Sequence, residues 1–304
     1  MGQHANPVIA ENCPDPAIFR DGESGDLVVA CTSNLNDDGA KFPLRRSADL
    51  RTWRPIGHIF PAGAWPAWAT RDFWAPEIHR VGDAWVCYYT ARDRTGLLCI
   101  GAARAQRLEG PWQDLGRPLL RDERVGLIDA HLLQDGGRRY LYWKEDGNGA
   151  VPPLPSVLCV QEVAADGMTP AGPRVELFAN DLPWEGDVVE GPWVVAHGGG
   201  YVMFYAANTF NSPRYATGVA RAASPLGPFE KKGDPILVSS ERWHGPGHGS
   251  VVTIDGEDWF AYHAWEAGRI DEVWDQSVHP RMMLLDRITW ADGWPRIADG
   301  TPSG

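Results

Sequence analysis

The feature that most constrains this chain is a fivefold internal repeat. One pattern recurs: a short strand, a Gly/Asp turn, an aromatic-rich strand, a third strand ending in small residues, and a turn leading to another aromatic. The copies open at DPAIFRDGESGDLVVACTS, APEIHRVGDAWVCYYTA, DAHLLQDGGRRYLYWKE, EGPWVVAHGGGYVMFYAAN and HGSVVTIDGEDWFAYHAW. Aligned on their first strands, they place Asp15, Ala75, Asp129, Glu190 and His248 in one register, at spacings of 60, 54, 61 and 58 residues. A unit of three or four strands cannot bury both faces alone, whereas radial stacking of five units does so and leaves only short edges. The pattern predicts an all-β, five-bladed β-propeller forming a single domain over residues 1–304, with no appended C-terminal β-sandwich. Glycines at 22/25, 82, 136/137, 198–200 and 256 mark the first hairpin turn of each unit, where a positive φ is needed. Most of the 15 tryptophans, among them Trp53, Trp85, Trp143, Trp259 and Trp290, fall at repeat-equivalent strand positions and read as packing residues.

Charge and patterning exclude several function classes. With 28 basic against 40 acidic residues, the net charge of −12 argues against a nucleic-acid partner held by phosphate neutralisation. No apolar run approaches the length of a membrane span. The opening residues carry no basic stretch followed by an apolar one, so a cytoplasmic location is expected. The five cysteines, at 13, 31, 87, 99 and 159, form no C-x-x-C pair and mostly lie in apolar runs; they are expected to be buried free thiols. His244 and His248 have an H-x3-H spacing, but the intervening Gly-Pro-Gly precludes a helical zinc site.

In a propeller the first strand of each blade is innermost, so cognate residues at its start ring one end of the axis. Asp15, Asp129, Glu190 and His248 are thereby expected in one pocket. Such a set could bind an axial cation. It also suits glycoside hydrolysis, where one carboxylate activates water and a protonated carboxylic acid donates to the leaving oxygen. A third ionised carboxylate would raise the acid's pKa.

From Asn6 to Pro295 the chain resembles glycoside hydrolase family 43, enzymes acting mostly on arabinofuranosides and xylosides with inversion. NPVIAENCPDPAIF resembles the family's opening, which implies that Asp15 is the general base. RDFWAPEIH resembles the blade-two motif, implying that Trp74 and Ala75 line the sugar subsite. LIDAHLL and VVEGPWVV resemble the motifs of the pKa-modulating aspartate and the general acid, here Asp129 and Glu190. GPGHGSVV is similar to the stretch with the axial histidine, His248, beside which a structural or activating Ca2+ is implied. PRMMLLDRITWADGWP resembles the last blade, implying that Arg281 contacts sugar hydroxyls. The expected activity is exo-acting, inverting release of terminal β-D-xylosyl or α-L-arabinofuranosyl residues from xylo- or arabino-oligosaccharides, with no cofactor required for the chemistry. The rivals are an endo-arabinanase of the same fold and a non-catalytic sugar-binding propeller.

Overall fold

A computed structural model describes residues 5–33, 39–270 and 279–304. Twenty strands form five four-stranded antiparallel sheets, each built from strands consecutive in the chain. Blade one comprises β1 (Ala17–Arg20), β2 (Leu27–Ala30), β3 (Lys41–Ser47) and β4 (Arg54–Phe60). Blade two comprises β5 (Ala69–Val81), β6 (Ala84–Asp93), β7 (Leu98–Ala105) and β8 (Gln113–Asp114). Blade three has β9 (Gly126–Asp135), β10 (Arg138–Asp146), β11 (Val157–Val163) and β12 (Pro170–Ala179). Blade four has β13 (Val189–His197), β14 (Gly200–Ala207), β15 (Ala216–Ala222) and β16 (Glu230–Lys231). Blade five has β17 (Trp243–Ile254), β18 (Glu257–Glu266), β19 (Met282–Ala291) and β20 (Trp294–Ile297). The architecture is the five-bladed propeller expected from the repeat.

Five apolar clusters hold the blades together, one between each neighbouring pair. Blades one and two share Phe42, Phe60, Phe73 and Tyr89, and blades two and three share Tyr88, Leu141 and Trp143. Tyr142, Val189 and Tyr205 join blades three and four. Phe204, Phe260 and Trp243 join blades four and five. Ile18, Val29, Val252 and Leu285 close the ring between five and one. Burying a side chain of this size contributes about 1.5–3 kcal/mol, so the interfaces between blades, rather than any single blade, carry the stability. The ring is also closed by backbone: Val8 N and Ile9 N donate to Met283 O, and Cys13 N to Arg281 O. At the axis Ser250 Oγ accepts from Ile18 N and donates to Pro16 O.

The cysteine expectation needs correcting. Cys13 and Cys31 form a disulfide that ties the segment leading into β1 to the end of β2, while Cys87, Cys99 and Cys159 are buried free thiols. The two partners are 18 residues apart. They meet only because the blade-one hairpin folds the chain back on itself.

Candidate active site

The structure redraws the repeat register in blade four. A left-handed backbone recurs at the head of each innermost strand, at Asp15 (φ 53°), Ala75 (43°), Asp129 (59°), Gly191 (57°) and His248 (45°). The cognate of Asp15 is therefore Gly191, and Glu190 enters the pocket from one residue earlier. In blades two to five the pairing with the second strand slips at this point, between Trp74 and Glu77, around Asp129, between Glu190 and Trp193, and between Gly247 and Ser250. Such bulges re-aim side chains. Four non-glycine residues in this region cost about 1–3 kcal/mol each, a strain the surrounding interfaces sustain.

A second set of equivalent positions supports the ring. Thr90, Lys144 and His263 lie fifteen residues beyond the ring positions of their blades, and Thr32 seventeen beyond Asp15, on or just past the second strand. Each reaches the next blade. Ala75 N donates to Thr32 Oγ1 (2.8 Å), Asp129 N to Thr90 Oγ1 (3.1 Å) and Asp15 N to His263 Nδ1 (3.2 Å). Lys144 Nζ instead donates to Glu190 Oε2 (3.1 Å) and pairs with Asp146 Oδ1 (2.8 Å). None of these four residues was identified from the sequence. Their common place in each aromatic-rich second strand was the available signal.

The three acids meet as expected, in three different settings. Asp15 accepts from Arg281 Nη1 at 3.1 Å and from Thr32 Oγ1, with His248 Nδ1 3.5 Å away. Burial pushes its pKa up, but Arg281, His248 and His263 outweigh that and hold it well below the usual carboxylate range. Asp129 accepts from Gly191 N at 3.1 Å and faces His248 Nδ1 at 4.0 Å. Its burial, opposed by His248 but reinforced by the charge of Glu190, raises it to about 6. Glu190 also accepts from Tyr215 Oη at 2.6 Å. Burial pushes Glu190 up, yet the Lys144 ammonium, His248 and the Tyr215 hydroxyl bring it below its ordinary value.

This partition reverses the expected one. In the free protein the proton of the Asp129–Glu190 pair favours Asp129, because Lys144 stands beside Glu190. Two interacting carboxyls titrate as a unit. The pair therefore takes up one proton as pH falls towards about 6, and a ligand can redistribute it between the two carboxyls.

His248 sits between Asp15 and Asp129, and their charges, with that of Glu190, raise its pKa against the effect of burial. His263, fully buried and stacked on Tyr215 at 5.8 Å, is lowered to about 4, first by burial and then by Arg281, and stays neutral. Arg281 lies with its guanidinium 4.9 Å from the Phe210 ring. Its bond to Asp15 makes it an ion-pair partner of the first acid; Trp74 is half-buried beside Ala75.

The calcium implied beside His248 is one held largely by water, since the protein oxygens there are already engaged. Calcium takes six to eight oxygen ligands. Here the imidazole faces two carboxylates, Asp15 is already committed to Arg281 and Thr32, and the axial cavity below the ring is only about 20 Å³. Among the described residues one group of three metal-ligating side chains converges, Glu77, His79 and His131, and it lies further down the axis. A larger hollow of about 420 Å³, lined by Arg20, Asp49, Leu50 and Ile254, lies between blades one and five and contains none of the acids of the ring.

Known proteins resemble this chain along most of its length. An extracellular exo-α-(1→5)-L-arabinofuranosidase of Streptomyces chartreusis is 28% identical over 86% of this chain and 82% of its own. A probable arabinan endo-1,5-α-L-arabinosidase A of Aspergillus flavus is 24% identical over 97% of this chain and 94% of its own. The crystal structure of a thermostable family-43 glycoside hydrolase superposes with a TM-score of 0.86 at 30% identity, covering 99% of this chain and 98% of that one. The profile of glycosyl hydrolases family 43 matches residues 4–295, and the chain belongs to that family of glycoside hydrolases.

Proposed function

We propose that the protein is an exo-acting, inverting glycosidase that releases terminal α-L-arabinofuranosyl or β-D-xylosyl residues from short oligosaccharides. The observation that carries this reading is the unequal surroundings of the three acids: Asp15 bonded to Arg281, and Asp129 and Glu190 facing each other with Lys144 beside Glu190 alone. Asp15, ionised by Arg281 and His248, accepts a proton from the attacking water. The Asp129–Glu190 pair supplies a proton to the departing oxygen, with Glu190 as the donor. For that step the shared proton moves to Glu190, and a sugar oxygen entering beside Lys144 and Tyr215 weakens the contacts that hold Glu190 ionised. Arg281 and the Trp74–Ala75 edge contact the sugar.

Endo-acting hydrolysis of arabinan is the second reading, supported by the Aspergillus flavus relative. A panel of aryl α-L-arabinofuranoside, aryl β-D-xyloside, xylobiose and linear arabinan, with products followed by NMR, tests both. Monosaccharide of inverted configuration is expected; retained configuration, or internal cleavage of arabinan into oligosaccharides, overturns the first reading. The Cys13–Cys31 bridge and the extracellular relative support action in an oxidising compartment, in place of the cytoplasm expected from the opening residues.

A further inference from the structure

One layer below the ring of acids, two residues further along each innermost strand, the axis is lined by Ala17, Glu77, His131, Trp193 and Ser250. Two residues correspond to about 6.6 Å of strand rise. Three of these positions are small or apolar, but Glu77 and His131 are not. His79, two residues beyond Glu77 and so on the same face of β5, joins them.

Glu77 Oε1 is the meeting point. His131 Nδ1 lies 2.8 Å from it, and His79 Nε2 contacts the same oxygen. One ligand atom from each residue falls within 4.8 Å of the other two. Glu77 and His131 are buried, at 6% and 2% exposure. The catalytic scheme uses none of the three.

Their supports hold them in a ligating posture. His131 Nε2 is 3.1 Å from Val194 O and donates to it, while Nδ1 faces Glu77 Oε1 at 2.8 Å, where a bound ion would take the place of the proton that otherwise joins the two. Imidazole ligands in metal sites are oriented in this way, by a carbonyl at the other nitrogen. Glu77 Oε1 is fixed by Leu132 N at 3.0 Å. The Trp193 ring, 4.6 Å from His131 and 6.3 Å from His79, supplies an apolar wall. Access comes from the end opposite the acids: His79 is half-buried and borders a groove of about 410 Å³ with Phe19, Arg20 and Trp85.

We propose that Glu77, His79 and His131 bind one zinc-class divalent ion on the propeller axis, stapling blade two to blade three beneath the catalytic ring. Two imidazoles and one carboxylate suit Zn2+, Co2+ or Ni2+ rather than Ca2+, and three protein ligands leave a fourth position for water. The ion adds positive charge one layer from Asp129. It takes no part in bond cleavage.

The test uses the whole chain, purified without a histidine tag, stripped with chelator and dialysed against Zn2+ or Co2+. The wild type should retain about one Zn2+ per chain by elemental analysis, show the visible absorption of tetrahedral Co2+, and melt several degrees higher with Zn2+ than without. Both His79→Gln, at a half-buried position that tolerates substitution, and Glu77→Gln should lose the stoichiometric ion, the absorption and the melting shift. Wild-type protein that retains no stoichiometric ion would overturn the proposal and leave a hydrogen-bonded triad only. Retention of the ion by folded His79→Gln would overturn it equally, by placing the ion elsewhere.

Discussion

Arg281 Nη1 donates to Asp15 Oδ1 across 3.1 Å, joining the residue that precedes β19 in the last blade to the head of the first innermost strand. Both side chains are more than nine-tenths buried. Removing one partner of such a pair leaves an uncompensated buried charge and typically costs about 3–5 kcal/mol. Arg281→Ala should lose stability on that scale and at least about 100-fold in kcat/KM, since Asp15 loses both its orientation and its clamp. The folded pKa of Asp15 lies below its unfolded value near 3.9. The contribution of this pair is therefore fully present above that pH and fades as pH falls through the folded value. Denaturant curves should show a large gap between wild type and variant at pH 7 that narrows as pH falls below the unfolded value near 3.9; a gap independent of pH would remove Arg281 as the cause of the shift.

Glu190→Gln abolishes proton donation while keeping the volume. With oligosaccharides, whose leaving oxygen needs a proton, kcat/KM should fall by about 10²–10⁴. With an aryl glycoside carrying a good leaving group the loss should be far smaller. Equal losses on both substrates would show that Glu190 is not the acid.

Lys144 favours the ionised form of Glu190, so its removal should raise the pKa values of the Asp129–Glu190 pair. Activity needs one proton on that pair and falls as pH rises through the upper value, near about 6 with Asp129 as the main holder. Lys144→Met should move this alkaline limb to higher pH and destabilise the fold by about 3–5 kcal/mol, because Glu190 and Asp146 lose their common partner. A pH–rate profile recorded on folded variant decides the matter. An unmoved or acid-shifted limb would contradict the electrostatic role given to Lys144.

Gly191 has φ 57°, and a Cβ there would stand 2.9 Å from Cγ and Cδ2 of His248. Gly191→Ala should therefore displace His248 from between Asp15 and Asp129. Strain of about 1–3 kcal/mol is expected, with a drop in kcat/KM out of proportion to that loss. If the variant keeps wild-type activity while being destabilised, the close packing of His248 on Gly191 has no catalytic consequence.

The Cys13–Cys31 bridge closes a short loop around Asp15. Replacing both cysteines by serine should lower stability by about 2–4 kcal/mol. Thermal unfolding with and without reductant measures it, and reductant should shift the wild type but not the double variant. Wild-type protein indifferent to reductant would mean that the bridge adds no stability.

The blade count, the hairpin turns and the three acids were all legible in the chain. Repetition made them so: glycine recurs where a turn needs positive φ, and acids stand near the start of otherwise apolar strands. Glu190 was found at the right place but in the wrong register. The Gly-Pro that follows it matches the Asp-Pro and Ala-Pro of blades one and two, and the backbone conformation at Gly191 shows which residue is the true equivalent.

What the sequence determined by itself is therefore local and periodic: strand, turn, repeat, and the residue types brought to the axis. Tertiary structure alone decided which charges stand beside each acid, which cysteines pair and what surrounds His248. Those properties depend on distances across blade boundaries. Lys144 and Glu190 are 46 residues apart, and Asp15 and Arg281 are 266 apart, yet each pair is within hydrogen-bond reach. Electrostatic energy follows the inverse of spatial separation and the loss of water around the charges, neither of which is written in the order of residues along the chain.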